Sequence, residues 1–392
     1  MSEQLVICGY ARTPMGGMMG SLAEVPAPVL GSAAIGAAMR RAGVNADAID
    51  EVLMGCVLPA GLGQSPARQA ALGAGLPVGV GTTTVNKMCG SGMKTVMMAC
   101  DTLGSGQSDM VVAGGMESMS NAPYLLNKAR SGYRIGHGEM LDHMYIDGLQ
   151  DAYSGDLMGA FAEQCADKYT FTREEQDAYA LESLRRASVA IAEGKFRHEI
   201  EPVTVKSRRA ETVVEIDEQP GNAKPERIPH LGPAFRENGT VTAANASSIS
   251  DGAAALILTR QSVAQAKGLK PIAAIRGYTQ FAQEPEWFTT APVGAMNKLL
   301  DKTGWSVADV DLFEINEAFA VVAMAAMREL GLPHDKVNVH GGACALGHPL
   351  GASGARIIVT LLAALQTYGK SKGVASLCIG GGEATAVAVE LL

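Results

Sequence analysis

No run of Lys or Arg in this chain exceeds two residues, as at Arg185-Arg186 and Arg208-Arg209, and 40 acidic against 32 basic side chains leave a net charge of −8. That balance argues against a nucleic-acid surface and gives an anionic membrane little to hold. The opening Met1-Ser2-Glu3-Gln4 lacks the basic start and apolar stretch of a secretion signal, and no segment reaches roughly 18 uninterrupted apolar residues. Cytoplasmic residence without a membrane partner is the expectation. Cysteine never occurs as C-x-x-C, and the seven cysteines at 8, 56, 89, 100, 165, 344 and 378 form neither a zinc spacing nor an even disulfide set. Cys8, Cys56 and Cys100 sit in apolar runs and read as core, and Cys165 reads as a helix-face residue without a role. Also missing are G-x-x-x-x-G-K-[ST] and a G-x-G-x-x-G after the first strand, which disfavours nucleotide hydrolysis and dinucleotide redox chemistry.

What the chain has is glycine, 46 residues of it, in a sequence that is 47% hydrophobic and only 18% charged. Such composition fits the close helix–sheet packing of an α/β enzyme and excludes a disordered or fibrous chain. At 392 residues it exceeds one hydrophobic core, so two domains or two fused halves are expected.

The halves are visible as an internal repeat when the two ends are aligned with a shift of about 261 positions. Ala38-Met39-Arg40-Arg41-Ala42-Gly43 leads into Val52-Leu53-Met54-Gly55, as Leu299-Leu300-Asp301-Lys302-Thr303-Gly304 leads into Leu312-Phe313-Glu314-Ile315. Both read as helix, glycine stop, buried strand. Val85-Asn86 and Gly90-Ser91-Gly92 then open a helix over 93–103, as Val337-Asn338 and Gly351-Ala352-Ser353-Gly354 open one over 355–365. Each of these helices is followed by a strand ending in glycines and Glu, at Gly114-Gly115-Met116-Glu117 and Gly380-Gly381-Gly382-Glu383. Alternating strands and helices predict parallel sheet in both halves, joined by right-handed crossovers. Residues 121–244 break the pattern, with a helix expected over 173–193 and charged, Pro-rich sequence over 201–233, and read as an inserted loop domain. The expected division is an N-terminal α/β half from 1–120 and about 245–268, the insert, and a C-terminal α/β half from 269–392.

Four places carry possible chemistry. Cys89, in Asn86-Lys87-Met88-Cys89-Gly90-Ser91-Gly92, precedes a helix whose dipole is expected to lower its pKa and make it a nucleophile; a buried cysteine at a tight turn fits the same pattern. His348 lies between glycine clusters, placed either as a base or as a turn residue before Pro349. Asn316 ends a strand at the edge where ligands bind in α/β sheets, and would equally serve as an N-cap for the helix that follows. Cys378 also ends a strand, ahead of Gly380 and Gly381, whose N–H groups form either an oxyanion hole or a tight turn. Cys344 has no acceptor nearby in sequence and reads as packing.

Together, N-K-M-C-G-S-G at Cys89, N-E-A-F at Asn316, G-G-A-C-A-L-G-H-P-L-G-A-S-G at His348 and C-I-G-G-G at Cys378 resemble the motifs of the thiolase family. The resemblance covers nearly the whole chain and is greatest to the short-chain members, which join two acetyl-CoA into acetoacetyl-CoA or run the reverse. It implies a five-layered arrangement of the two α/β halves and a ping-pong acyl transfer. Cys89 would carry the acyl group, His348 would activate it, and Cys378 would move the α-proton. One oxyanion hole would use the N–H groups of Cys89 and Gly380, the other His348 and a water on Asn316. Ser247, Phe235, Met158 and Phe319 would contact the substrate, with Lys224 and Arg227 toward the adenine. The sequence departs from common family residues at Leu157, Ser248 and His340. No metal or redox cofactor is implied. Acetyl-CoA, acetoacetyl-CoA and coenzyme A are the expected partners, together with other copies of the chain in a homodimer or homotetramer. Three alternatives remain open: a thiolase for longer or dicarboxylic 3-ketoacyl-CoA, which would place Arg130, Arg134 or His143 at the acyl tip; a decarboxylating ketoacyl synthase, which would lack Cys378; and a non-catalytic acyl-CoA-binding protein.

Overall fold

The computed structural model describes residues 3–206 and 211–392, so Arg208-Arg209 lies outside the described residues. Its main elements are β1 (Leu5–Arg12), α1 (Ala27–Ala42), β2 (Glu51–Gly55), α2 (Pro66–Gly73), β3 (Gly81–Val85), α3 (Ser91–Gly104), β4 (Met110–Ser118), α4 (Met158–Tyr169), α5 (Arg173–Ala192), β5 (Ser250–Arg260), β6 (Ala273–Ala282), α6 (Ala291–Thr303), β7 (Leu312–Ile315), α7 (Ala320–Leu330), α8 (Leu350–Tyr368), β8 (Lys372–Ile379) and β9 (Glu383–Leu391). The strands lie in the order β3-β2-β4-β5-β1 and, continuing through a short β1·β6 pairing at Val6↔Ala274, β6-β9-β8-β7. Val337 bridges in parallel to Phe313 of β7, as β3 lies beside β2, so the two halves repeat one another strand for strand.

Only part of each half is parallel, which corrects the all-parallel expectation. β3·β2, β2·β4 and β7·β8 are parallel, whereas β4·β5, β5·β1, β8·β9 and β9·β6 are antiparallel. The strands joined by a helical crossover run parallel. β9 instead follows β8 through a tight glycine turn at 380–382, and a turn that short can only make a hairpin.

Side-chain alternation builds five layers. In β1 and β5, Val6, Cys8, Ala255 and Ile257 face α1 and α2, while Ile7, Tyr10, Leu256 and Leu258 face α3 and α8. In the second half Phe313, Ile315, Ala386 and Ala388 face α6 and α7, while Leu312, Val387 and Val389 face the same α3 and α8. The two central helices are thus covered from both sides, which is why α8 is buried from Leu350 to Leu365. They cross backbone to backbone: a Cβ on Gly92 would stand 2.8 Å from Ala355 N, and one on Gly354 would stand 2.3 Å from Met93 N. That contact brings the loops preceding both helices, which carry Cys89 and His348, to one end of the central layer.

Residues 121–244 add no strand to the main sheet among the described residues. Thr172 and Glu175 form a reciprocal capping box that starts α5. Fully buried Arg12, at the end of β1, ties this segment to the core through Glu199 and through Asp217 at 2.6 and 2.8 Å. Removing one partner of such a buried pair costs about 3–5 kcal/mol, because the charge left behind is buried without a partner.

Candidate active site

The Cys89 turn is held by its own backbone. Met88 has a left-handed φ of 46°, Met88 N donates to Asn86 Oδ1 at 3.0 Å, and Ser91 Oγ donates to Met88 O at 2.6 Å while accepting from Lys87 N. Gly90 allows the turn to dock on the β8–β9 hairpin, since a Cβ there would stand 2.3 Å from Ile379 Cδ1. Lys87 Nζ clamps the same contact with a 2.5 Å ion pair to Glu383. Docking places the backbone N–H groups of Gly380 and of Cys89 itself toward the Cys89 sulfur.

Cys89 is half-buried, and burial pushes its thiol up to about 11, while the two N–H groups pull the other way. The expected lowering by the helix dipole is therefore overturned: desolvation of the thiolate outweighs the donors. Cys378, fully buried, is raised well above the usual thiol range by burial and next by the charge that Cys89 would carry. Both are neutral thiols at rest.

His348 is 5% exposed, and its Nδ1 lies 2.6 Å from Ser353 Oγ. Ser353 donates its single proton to Pro349 O at 2.9 Å, so it accepts from Nδ1–H and leaves the lone pair on Nε2. Burial, followed by the charge of Arg356, lowers the imidazole to about 3, so the ring is neutral at physiological pH. Asn316 Nδ2 stands 3.5 Å from both ring nitrogens, and the buried Asn316 Oδ1 has no protein partner. Asn316 does not cap α7, whose N-cap is Phe319, because its side chain is turned to His348 instead. Among the described residues no hydrogen bond joins His348 to either sulfur, and no cluster of three or more His, Cys, Asp or Glu is disposed to hold a metal.

The other four residues read from the sequence converge beside this site. Met158 Sδ lies 3.4 Å from the Cβ position of Gly380, and Gly159 leaves room for the Phe235 ring. Phe235 meets Phe319 edge-on with centroids 5.9 Å apart, and Ser247 N donates to Ala318 O at 2.9 Å. A cavity of about 380 Å³ next to them is lined by Lys224, Arg227, Leu231, Ser248 and Cys344. A larger one of about 600 Å³ lies elsewhere, under α5, lined by Arg185, Asp335 and Lys370 among others.

The sequence reading missed two buried carboxylates. Glu317 accepts from Tyr179 Oη, Asn338 Nδ2, Ser183 Oγ and Cys344 N at 2.8–3.0 Å, and the Cys344 thiol donates to the Glu317 carbonyl oxygen at 3.8 Å, an acceptor 27 positions away. Glu117, at the end of β4, accepts the N–H groups of Val57, Leu58 and Gly351 at 2.9, 3.1 and 2.8 Å, and Cys56 Sγ lies 3.6 Å away. One carboxylate thereby ties the loop after β2 to the start of α8, just past His348. Their only sequence signal was an acid close to the end of an apolar strand.

Burial pushes Glu117 up to about 7 from the usual 4.5. The folded protein then holds a proton that the unfolded chain releases, so this contribution to stability is fully present below pH 4.5 and lost as pH rises through 7. Glu117→Gln is expected to flatten that part of the stability curve, measured by denaturant unfolding from pH 4.5 to 7.5. An unchanged slope would show that Glu117 ionises freely.

Comparison with known proteins defines the class. The model of the thiolase N-terminal domain matches residues 5–262 and that of the thiolase C-terminal domain matches 269–391. The chain belongs to the thiolase family and is an acyltransferase. It is similar to acetyl-CoA acetyltransferase 2 of Arabidopsis thaliana, 53% identical over 393 residues covering 100% of this chain and 98% of that one. The acetyl-CoA acetyltransferase of Escherichia coli (strain K12) is 50% identical, with 100% of both chains covered. Among solved structures, the Bacillus anthracis acetyl-CoA acetyltransferase superposes with a TM-score of 0.97 at 42% identity, covering 100% of this chain and 99% of that one. The Acat5 thiolase of Ascaris suum, solved with coenzyme A, gives 0.94 at 43% identity with 100% of both chains covered.

Proposed function

We propose that this chain is an acetyl-CoA C-acetyltransferase, condensing two acetyl-CoA into acetoacetyl-CoA and coenzyme A and running the reverse thiolysis. The observation that carries this reading is the convergence of the Gly380 and Cys89 N–H groups on the Cys89 sulfur, with buried Cys378 two residues before Gly380 in the same hairpin. His348 Nε2 takes the Cys89 proton as the sulfur attacks the thioester carbonyl, and returns it to the departing coenzyme A sulfur. The Cys378 thiol then yields its proton to His348, and the thiolate takes an α-proton from a second acetyl-CoA, whose carbon attacks acetyl-Cys89 and expels the Cys89 sulfur, which recovers its proton from His348. Negative oxygen is met at one position by the N–H groups of Cys89 and Gly380, and at the other by protonated His348 and a water on Asn316. No metal or redox cofactor enters the scheme.

Ser247, Phe235, Met158 and Phe319 would line the pantetheine and acyl path, with Lys224 and Arg227 toward the phosphates and adenine. The dicarboxylic alternative finds little support, since Arg130 and Arg134 are exposed and His143 Nδ1 is committed to Asp147 at 2.6 Å. Assembly into a dimer, paired into a tetramer, is part of the same reading. It is supported by the half-exposed edge strand β3 and by exposed Tyr124, Leu126, Ile135 and Met140. Seven free cysteines fit cytoplasmic residence.

Steady-state thiolysis tests the acyl preference. Acetoacetyl-CoA is expected to be cleaved with kcat/KM at least roughly tenfold above that of a six-carbon or dicarboxylic 3-ketoacyl-CoA. The reverse order would replace this assignment with the longer-chain or dicarboxylic thiolase.

A further inference from the structure

On α8, Ser353, Arg356 and Thr360 stand at i, i+3 and i+7, a polar stripe on a helix whose residues from Leu350 to Leu365 are all buried. Ser353 holds His348 Nδ1, and Thr360 Oγ1 donates to Glu199 Oε1 at 3.2 Å. Between them Arg356, the one charged residue of the helix, points Nη1 at Glu314 Oε2, 3.6 Å away. Glu314 belongs to β7, two residues before Asn316. Its neighbours Phe313 and Ile315 face the outer core, so Glu314 occupies an inward position next to Leu312 where the alternation calls for an apolar side chain.

Stability does not account for this pair. Glu314 is 1% exposed and Arg356 0%, and neither carboxylate oxygen nor any guanidinium nitrogen has a hydrogen-bond partner among the described residues. Two charges desolvated without hydrogen bonds are commonly no more stable than apolar residues of the same volume. What the pair does join is the strand that ends in Asn316 and the helix turn that holds His348, two side chains 3.5 Å apart.

We propose that Glu314 and Arg356 are positioning residues for His348 and Asn316: they set the spacing between the strand that leads to Asn316 and the helix turn that holds His348. This role rests on His348 acting as the base in the acyl transfer proposed above. The titratable and charged groups around the site are Arg356 from α8, Glu314 from β7 and Glu117 from β4, the last held at Gly351, while the Cys89 and Cys378 thiols are neutral. Arg356 adds to burial in lowering His348, and burial pushes Glu314 up to about 8, so the guanidinium charge is incompletely cancelled at neutral pH.

The test is the full-length double variant E314L/R356M, which replaces both charges by apolar side chains of similar length. Its unfolding midpoint is expected to match or exceed that of the wild type, with KM for coenzyme A within roughly twofold and kcat for thiolysis lowered by roughly tenfold or more. R356K, which keeps the charge, is expected to retain kcat within roughly threefold. A readout free of substrate is the ¹⁵N spectrum of histidine-labelled enzyme, with His348 assigned by its loss in H348N. At pH 7 the wild type should show the Nδ1–H tautomer alone, and the double variant should add the other tautomer or the protonated ring. A double variant with wild-type kcat and wild-type imidazole signals would overturn the proposal. Altered imidazole signals in a protein whose wild type fails to cleave acetoacetyl-CoA would leave the positioning role standing and remove the acyltransferase assignment. Should the double variant not fold, R356M beside R356K gives the same comparison.

Discussion

Cys89→Ala is expected to lower thiolysis of acetoacetyl-CoA by roughly 10⁴-fold or more, leaving coenzyme A binding and the unfolding midpoint nearly unchanged. The size of the effect follows from the absence of a substitute. Cys378 is fully buried, its thiol is raised by burial, and the Gly380 N–H points to the Cys89 sulfur instead. Cys89 itself is only half-buried, so removing its sulfur leaves no closed cavity and little structural cost. Because its thiol is held near 11 rather than activated in advance, the proton must leave as the bond to the acyl carbon forms, and neutral His348 is the group able to take it. Mass spectrometry of enzyme exposed to acetyl-CoA should find one added acetyl group in the wild type and none in the variant. Turnover within tenfold of wild type would rule out a covalent route through Cys89.

Cys378→Ala should separate the two half-reactions. Acetyl transfer from labelled acetyl-CoA to Cys89 is expected to survive, while condensation falls by roughly 10²–10⁴-fold, the range of a lost general base. Exchange of the acetyl methyl protons with deuterated solvent should disappear in the same variant. The reason lies in the geometry of β8 and its turn: Cys378 is the last residue but one of the strand, and the Gly380 N–H that faces Cys89 lies two residues on. One short segment thus carries the proton acceptor and a donor for the oxygen, but no part of the nucleophile. Loss of Cys89 labelling in Cys378→Ala would show instead that the buried thiol is needed for acylation, and the division of labour would fall.

Much of the site was legible because its parts are local. Glycines at 381 and 382 mark a turn of left-handed backbone, with φ of 92° and 89°, and Gly90 leaves the space that Ile379 fills. The repeat of strand, turn and helix was equally plain. What spacing could not show is the cost of burial. The dipole of α3 pointed to a lowered Cys89 pKa, but the thiol is enclosed by the hairpin of the other half, and desolvation reverses the direction. Asn316 looked equally suited to capping α7, and only the approach of the His348 loop turns it away.

By itself the sequence determined the class of fold, the doubled α/β plan and the identity of the residues at the strand and helix ends, since periodicity and turn chemistry act over a few neighbouring positions. The tertiary structure alone decided which strands run antiparallel, which thiols stay protonated, and which acids stand at the centre. Glu117, Glu314 and Glu317 reach partners from 21 to 234 positions away. Glu117 meets the start of α8, Glu314 meets Arg356 on the same helix, and Glu317 meets donors from α5 and residues 338–344, encounters between distant segments that no local pattern in the chain encodes.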